Sequence, residues 1–342
     1  MSTAKPAMIG WDIGGAHLKA VLIDAQGVAL QVLQLPCALW RGVHELSEAL
    51  DIALVALANH HCLHAVTMTG ELVDCFVNRQ AGVNAIAEMA KQKLGEHVRF
   101  FAGEKGFMPF VQMHDNTTYI ASMNWYASAR FVAQQLEYGL FVDMGSTTTD
   151  VIPIASHQVG KVGLTDADRM AGNALVYTGL VRTPLMALGQ QVMFKQRLYH
   201  VAAEHFATTA DVYRLLGQLS ADNDVADTAD SNDKSMYASA RRIARMIGHD
   251  VEDATMQDWI VLAQAFKALQ LSQLSQALRQ VLGDKTITIV GAGAGVAVVE
   301  ELATLLHCPF INANRYILAA DAALYQRAVT CFPAYAVARL AQ

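Results

Sequence analysis

A short motif that occurs twice is the feature that most constrains how this chain folds. The segments IGWDIGGAHLKAVLI, around Asp12, and LFVDMGSTTTDVIPI, around Asp143, share one pattern. Each has an apolar strand, the triplet Asp-x-Gly, a small residue and a second apolar strand. The copies lie much farther apart than the units of a solenoid, so a duplicated domain is the better explanation. The sequence therefore predicts two related halves, each opening with a β-hairpin.

Both hairpins carry residue types that bind phosphate. Glycine lets the backbone approach an anion and direct N–H groups towards it, and hydroxyl side chains add further donors. An aspartate just before the turn, Asp12 or Asp143, can hold Mg²⁺ directly or through water. Lys19 either reaches the phosphates or extends its amine from an apolar strand to solvent. The candidate phosphate-binding residues of the hairpins are Gly14, Gly15, Lys19, Gly145, Ser146, Thr147 and Thr148.

A third glycine-rich segment, IVGAGAGVAVVEELA, occupies residues 289–303. Its apolar strand leads into Gly291, Gly293 and Gly295, and a helix follows. A dinucleotide-binding fingerprint would need a βαβ unit and an acidic residue downstream, and neither is evident. The ordinary explanation is a turn that packs a helix on a sheet.

Taken together, these features resemble the actin, sugar-kinase and Hsp70 superfamily. The two hairpins, a connecting segment at Thr67–Gly70, the late glycine turn and a C-terminal helix carry the resemblance over nearly the whole chain. It implies an α/β fold of two ribonuclease-H-like halves, as in actin-like ATPases, with a cleft between them. Residues 1–136 with about 315–342 would form the first half, and 137–314 the second half with a helical insertion. Gly291–Gly295 would then be the adenosine loop.

Longer strings resemble a narrower group, the hydantoinase/oxoprolinase-like branch. Within it they are similar to proteins of the tetrahydromethanopterin-linked C1-transfer pathway and to the furfuryl aryl-ether synthases of methanofuran biosynthesis. The strings are TMTGELVDCF (67–76), ASMNWYASARF (121–131), VDMGSTTTDVIPI (142–154), TDADRMAGNALVYTGLVRTPLMAL (165–188) and DTADSNDKSMYASARRIARMIGHD (227–250).

This narrower resemblance implies a transferase with small-molecule substrates, a diphosphate and a phenolic amine. An aminomethylfuran-methyl diphosphate would be joined to the phenol of γ-glutamyltyramine, and diphosphate would be released. Mg²⁺ is the expected cofactor, while ATP is compatible with the hairpins but not required. The alternatives are an ATP-dependent small-molecule kinase or ATP-linked hydrolase of the same fold, and a non-catalytic nucleotide-sensing module. The oligomeric state stays open.

Further charged residues are candidates for the chemistry. Glu71 and Asp74 follow a predicted strand end, where open α/β sheets place ligands, and Asp150 aligns with Lys19 of the first hairpin. These three carboxylates are candidate bases.

A diphosphate also needs guanidinium groups, because arginine binds phosphate bidentately. Arg182, Arg241 and Arg245 are the candidates. The alternative for Arg182 is a surface arginine before a turn at Pro184, and for the other two a solvated basic helix face. Asp227 and Asp230 are a further candidate metal pair beside that helix.

Composition and net charge exclude several classes of protein. Hydrophobic residues make up 53% and charged residues 16% of the 342 residues, which excludes intrinsic disorder. A net charge of −6 argues against broad binding to nucleic acid or anionic membranes. The five cysteines lack metal-ligand spacing, so reduced thiols in a cytoplasmic protein are expected, and no apolar stretch is long enough to span a membrane.

Helical periodicity predicts helices over Thr117–Leu136 and Asn173–Leu180, and the polar run Ser220–Lys234 predicts a loop. Trp125 and Tyr126 are expected to pack in the core. His60, His61 and His64 lie close together in sequence but have no acidic partner at metal-ligand spacing.

Overall fold

The computed structural model describes residues 7–57, 62–283 and 285–342, so His60 and His61 lie outside the described part. Its strands alternate with helices along the chain, as in an α/β protein. In chain order the strands are β1 (Met8–Ile13), β2 (His17–Ile23), β3 (Val28–Pro36), β4 (Leu63–Met68), β5 (Val98–Phe101), β6 (Phe107–Pro109), β7 (Tyr138–Met144), β8 (Thr149–Ala155), β9 (Gln158–Val159), β10 (Leu175–Val176), β11 (Gln191–Phe194), β12 (Arg197–His200), β13 (Ile289–Ala292), β14 (Phe310–Asn312) and β15 (Leu318–Ala319).

The helices vary from one turn to more than seven turns. They are α1 (Val43–Leu57), α2 (Arg79–Leu94), α3 (Phe110–Met113), α4 (Thr117–Ile120), α5 (Asn124–Ala133), α6 (Asp166–Ala171), α7 (Thr209–Leu215), α8 (Met236–Arg245), α9 (Met256–Leu282), α10 (Val296–Leu305), α11 (Ala322–Thr330) and α12 (Phe332–Leu340). Among the described residues, none of these helices combines the length and apolar character needed to cross a bilayer.

The two larger sheets share one strand order. In the first, the order is β15-β3-β2-β1-β4-β5-β6, with β1 antiparallel to β2 and parallel to β4. In the second, the main path is β10-β8-β7-β13-β14, and β13 is parallel to both β7 and β14. The repeated core, a hairpin, a third strand beside it and two parallel strands on its other side, is the ribonuclease-H arrangement. The predicted α/β class with two ribonuclease-H-like sheets is confirmed.

The chain divides into two compact units. The first comprises Met1–Gly139, Pro153–Asp168 and Ala313–Gln342, and the second comprises Leu140–Ile152 and Arg169–Asn312. The sequence predicts that residues 153–168 belong to the second half, whereas in the structure they belong to the first unit. The turn between β8 and β9 packs on α5, where Arg130 Nη1 donates to the carbonyl oxygen of His157 at 2.8 Å. This contact explains why the segment belongs to the first unit.

Buried apolar side chains fill both faces of the first sheet. Helices α1 and α2 cover the face that carries Ile9, Trp11 and Ile13, all fully buried. Helix α12 covers the opposite face so closely that a Cβ atom at Gly10 would overlap the carbonyl oxygen of Ala334. Close packing of this kind leaves β1 rigid at the point where the first hairpin begins.

The polar run over Ser220–Lys234 is a loop, as predicted, and arginines attach it to α7 and α8. Arg242 is fully buried; its Nε donates to Asp211 Oδ1 at 2.8 Å and its Nη1 to Asp230 Oδ1 at 3.0 Å. Arg214 binds both carboxylate oxygens of Asp224 at 2.8 Å. Burial opposes ionisation of Asp230, but hydrogen bonds from Asn232 and the charge of Arg242 hold its pKa at about 2. The loop is therefore fastened by satisfied buried charges.

Replacing Arg242 with methionine would test this fastening. The substitution removes the buried partner of two carboxylates, and an unpaired buried charge is strongly destabilising. We expect Arg242→Met to lower the free energy of unfolding, measured by urea denaturation, by about 3 kcal/mol. Arg245→Met is the matched control, because Arg245 lies on the same helix but is exposed; its change should stay within about 0.5 kcal/mol. Equal effects of the two substitutions would contradict the account.

Candidate phosphate-binding hairpins

In the turn between β1 and β2, backbone carbonyl oxygens are hydrogen-bonded, whereas two backbone amides are not bonded to any described residue. Gly14 N donates to His17 O at 3.0 Å, while the carbonyl oxygens of Gly15 and Ala16 accept hydrogen bonds from the segment that follows β3, at 3.0 and 2.9 Å. The amides of Gly15 and Ala16 have no hydrogen-bond partner in the part of the chain that the structure describes. Adjacent amides without partners form an anion-binding concavity.

Asp12 lies at the base of this turn in a row of three polar residues. Strand register places Lys19 opposite Asp12 on β2 and Thr67 opposite it on β4. Asp12 is 5% exposed, and its Oδ1 and the Thr67 hydroxyl are buried without a hydrogen-bond partner among the described residues. Burial raises the pKa of Asp12, and the Lys19 charge partly offsets this. Buried polar atoms are rarely left unsatisfied, so these two indicate a ligand site.

Glu71 follows β4 and lies beside the same turn. Its carboxyl is 1% exposed; Oε1 accepts a hydrogen bond from Ser122 Oγ at 2.7 Å, and Oε2 has no partner in the described residues. Burial raises the pKa of Glu71 above its ordinary value, although the Ser122 hydrogen bond and Arg79 act in the opposite direction. The neighbouring Gly70 packs against the backbone of Gly14, which places Glu71 next to the hairpin.

The helix predicted over Thr117–Leu136 is broken at the residue that contacts Glu71. Helix α4 ends at Ile120, α5 begins at Asn124, and between them Ser122 has a left-handed φ of 53°. This conformation is unfavourable for a residue with a Cβ atom. The local strain coincides with the one hydroxyl that holds the buried carboxyl.

The turn between β7 and β8 repeats the backbone arrangement of the first turn. Gly145 N donates to Thr148 O at 2.9 Å, and the amides of residues 180–182 donate to the carbonyl oxygens of Gly145 and Ser146 at 2.9–3.0 Å. The amides of residues 146–148 have no partner among the residues described. Arg182 bonds this turn through its backbone and exposes its side chain.

Residues 177–183, which we call the strap, lie against this second turn. The helix predicted over Asn173–Leu180 is wrong: the segment forms the short strand β10 and then the strap. The buried amide of Gln270, on α9, donates to Thr178 Oγ1 at 2.8 Å and to Gly179 O at 2.9 Å. Gln270 Oε1 in turn accepts a hydrogen bond from the buried Tyr213 hydroxyl at 2.7 Å. A Cβ atom on Gly179 would lie 2.6 Å from the backbone of Ser146 and Thr147, so only glycine lets the strap approach this closely.

The late glycine turn packs on the end of β7. Gly295 N donates to Met144 O at 2.8 Å, and a Cβ atom on Gly293, whose φ is 83°, would meet the half-buried carboxylate of Asp143. A Cβ atom on Gly291 would lie 2.6 Å from the ring of Phe310. These contacts explain all three glycines as packing residues, and their role in an adenosine loop stays a prediction.

The other predicted residues are not brought together. Asp150 forms an ion pair with the buried Arg169, Asp74 is exposed in the turn before α2, and Asp227 is exposed in the fastened loop. Arg241 Nη2 lies 3.3 Å from Asp230 Oδ2, so ion pairs account for Asp230 without a metal. No group of three or more His, Cys, Asp or Glu side chains that could hold a metal occurs in the described ranges.

Several residues of these surroundings were not singled out from the sequence. Ser122 and Arg169 occur in strings that resemble the narrower group, so the resemblance could have indicated them. Gln270 and Tyr213 lie on apolar helices, where no local pattern distinguishes a polar residue that supports a site from one that faces solvent.

Comparison with known proteins gives consistent results. Residues 63–341 match the hydantoinase/oxoprolinase family. The chain is 31% identical over 298 residues to the (4-{4-[2-(gamma-L-glutamylamino)ethyl]phenoxymethyl}furan-2-yl)methanamine synthase of Methanocaldococcus jannaschii, covering 84% of this chain and 87% of that protein. It is 32% identical over 169 residues to the synthase of the same name from Methanococcus vannielii, covering 48% of this chain and 76% of that protein.

Comparison with solved structures adds one agreement at the level of the fold, with acetone carboxylase. Nucleotide-free acetone carboxylase aligns with a TM-score of 0.50 and 11% identity, covering 86% of this chain and 66% of that one. A ROK family glucokinase from Streptomyces griseus aligns with a TM-score of 0.47 and 13% identity, covering 98% of both chains. The family match over most of the chain, together with 31% identity over 84% of the chain to one of these synthases, shows that the protein belongs to the hydantoinase/oxoprolinase family, in the group that contains these two synthases.

Proposed function

We propose that this protein is a transferase that forms the furfuryl aryl ether of a methanofuran-type cofactor for C1 metabolism. The phenol oxygen of γ-glutamyltyramine attacks the methylene carbon of an aminomethylfuran-methyl diphosphate. The new carbon–oxygen bond replaces the bond to diphosphate, the phenolic proton passes to a base, and diphosphate leaves. The observation that carries the proposal is the 31% identity, over 84% of the chain, to a synthase named for that product. Charged substrates and five free thiols suit a cytoplasmic enzyme.

Each hairpin by itself offers groups that would stabilise a departing diphosphate. Each turn has at least two amides without partners among the residues that the structure describes, and carbonyl oxygens that would repel an anion are bonded to neighbouring backbone. Lys19 beside the first turn and Arg182 beside the second add positive charge. Because the furan ring oxygen spreads the developing positive charge on the methylene carbon, stabilising the leaving group is the main electrostatic task.

Asp12 is the residue that would hold Mg²⁺. Its buried Oδ1 has no hydrogen-bond partner among the described residues, and one carboxylate with phosphate oxygens and waters is a common Mg²⁺ environment. When bound, the ion would neutralise charge on the diphosphate. Asp143, at the corresponding position of the second motif, is the second candidate ligand.

Glu71 is the candidate base for the phenol. A buried carboxyl with a raised pKa is a stronger base than one in water, and the neighbouring Ser122 hydroxyl fixes one of its oxygens. The other oxygen, Oε2, is left to accept a proton.

The proposed function is tested with purified protein, Mg²⁺ and the two substrates without ATP. We expect mass spectrometry to detect the aryl ether, with one diphosphate released for each ether formed. ADP formed from ATP with a phosphorylated or hydrolysed small molecule, and no ether, would instead identify an ATP-dependent enzyme. Nucleotide binding without turnover would identify a sensing module.

The Asp12→Asn substitution should weaken diphosphate binding that depends on Mg²⁺. We expect calorimetry to show binding of Mg²⁺–diphosphate to the parent protein and binding at least about tenfold weaker to the variant, because the metal ligand is lost. Asp222→Asn, at an exposed aspartate, is the control and should bind like the parent. Equal affinity in Asp12→Asn would contradict the assignment, and a separate titration with Mg²⁺–ATP distinguishes the kinase alternative.

Glu71→Gln should separate activity from stability. Burial in the folded state raises the pKa of Glu71 above its ordinary value of 4.5. The free energy of unfolding therefore falls as pH rises from that ordinary value through the raised pKa. Glutamine cannot ionise, so the substitution removes this decrease in stability. We expect the thermal midpoint of Glu71→Gln at pH 8 to be at least that of the parent. Its kcat should fall about a hundredfold, and the rise of activity with pH should disappear. Glu48→Gln, at an exposed residue of α1, should change neither quantity. A parental pH–rate profile in Glu71→Gln would exclude Glu71 as the base.

Gln270→Leu should loosen the strap and therefore the second hairpin. The variant loses two donors to the strap and leaves the Tyr213 hydroxyl unsatisfied. We expect KM for the diphosphate substrate to rise about tenfold, with a smaller change in kcat. Tyr213→Phe is the milder variant, and Gln273→Leu on an exposed position of α9 is the control. Loss of thermal stability with an unchanged KM would show that the network supports only the fold.

A further inference from the structure

A cavity lies in the first unit, and no residue of the first hairpin lines it. Its volume is about 270 Å³, at the small end for a ligand site. The turn after β5, one face of α5 and residues near the C-terminus line it. Five polar side chains line it, of which Gln134 and Gln158 are amides. The three that can carry charge are Glu104 from the turn, and Tyr126 and Arg130 from α5.

Glu104 and Arg130 bring opposite charges to the cavity without pairing with each other. Glu104 makes no hydrogen bond or ion pair with the described residues. Arg130 uses Nη1 to bond the carbonyl oxygen of His157 at 2.8 Å, which holds the guanidinium and leaves other donors available. Burial raises the pKa of Tyr126, with a further increase from the Glu104 charge and a decrease from the Arg130 charge. The phenol lines the same cavity as these two groups.

Aromatic rings form one wall of the cavity. The ring of Phe101 lies 5.2 Å from that of Phe107 and 6.2 Å from that of Tyr126, measured between centroids. Lys105, the cation beside Glu104 in sequence, lies over the ring of Tyr119 and bonds Asn116 at 2.7 Å. Glu104 is therefore not neutralised by its neighbour.

We propose that this cavity binds the zwitterionic head of an α-amino acid. The ammonium group is recognised by Glu104 and the rings of the wall, and the carboxylate by the remaining donors of Arg130. Charge-assisted hydrogen bonds of both signs select a zwitterion over an amine or an acid alone. The Tyr126 hydroxyl supplies one more donor or acceptor.

The position of the cavity suggests where such a head could come from. Strands β1, β4 and β5 are parallel neighbours, so the first hairpin and the Glu104 turn emerge at the same edge of the sheet. Two strand spacings separate them, roughly 10 Å. A substrate with a phenol at one end and a glutamyl head at the other can span that distance. The inference that the acceptor substrate supplies this head rests on the proposed function. Binding of a free amino acid as an effector would not depend on it.

The first measurement is calorimetry of L-glutamate with the full chain. We expect binding by the parent, and at least about tenfold weaker binding by Glu104→Gln, which loses the anionic partner of the ammonium group. Glu48→Gln is the control and should bind like the parent. Glutarate and 4-aminobutyrate, as probes that lack the α-amino group and the α-carboxylate respectively, should bind more weakly than L-glutamate.

Enzyme kinetics then distinguish whether the bound zwitterion is part of the acceptor substrate or a free amino acid. If the head belongs to the acceptor, Glu104→Gln raises KM for γ-glutamyltyramine about tenfold and leaves KM for tyramine unchanged. If the source is a free amino acid, L-glutamate binding depends on Glu104 while both KM values stay at the parental level. Absence of L-glutamate binding to the parent, or binding of equal strength by Glu104→Gln, would overturn the proposal. An inactive parent protein that still binds L-glutamate through Glu104 would refute only the proposed function.

Discussion

Both hairpins depend on hydrogen bonds that neighbouring segments donate to their turn carbonyl oxygens. A tight turn exposes both amides and carbonyl groups, and an anion is attracted by the first and repelled by the second. In the first turn the segment after β3 donates to the carbonyl oxygens of Gly15 and Ala16, and in the second the strap does so at Gly145 and Ser146. The amides that remain give each turn a positive surface without a charged side chain. Two segments unrelated in sequence thus serve the same electrostatic purpose.

The supports of the two turns differ in kind. In the second turn, a buried chain of hydrogen bonds from Tyr213 through Gln270 to the strap is fully satisfied. In the first, Asp12 and Glu71 are buried with carboxylate oxygens that have no partner among the described residues. Such atoms destabilise the folded state, and they are retained where binding or proton transfer uses them. We therefore expect the groups near the first turn to bind metal or transfer a proton, and the hydrogen bonds at the second turn to keep its backbone in place.

The sequence predicted much of this arrangement because the hairpins are local. Strand, turn and strand are adjacent in the chain, so alternation of apolar residues around Asp12 and Asp143 was enough to locate both turns. The roles of residues brought in from a distance could not be derived in this way. Gln270 lies more than a hundred residues from the turn it supports, and on α9 it interrupts an apolar stripe without marking itself as functional. The break at Ser122 could not be predicted for a related reason: helical periodicity continues across it, and the Glu71 side chain that Ser122 contacts lies 51 residues away in the sequence.

The contrast between Arg242 and Glu71 shows how this fold distributes buried charge. Arg242 is fully buried, but each of its nitrogens has an oxygen partner, so its burial ties a long polar loop to the helices beneath it. Glu71 is nearly as buried, yet it has one hydroxyl partner and a raised pKa. The first arrangement favours a single well-defined structure, whereas the second favours a change of protonation state. Because both are present in one chain, burial alone does not separate a structural charge from a candidate reactive group, and the hydrogen-bond partners of each buried atom must be compared.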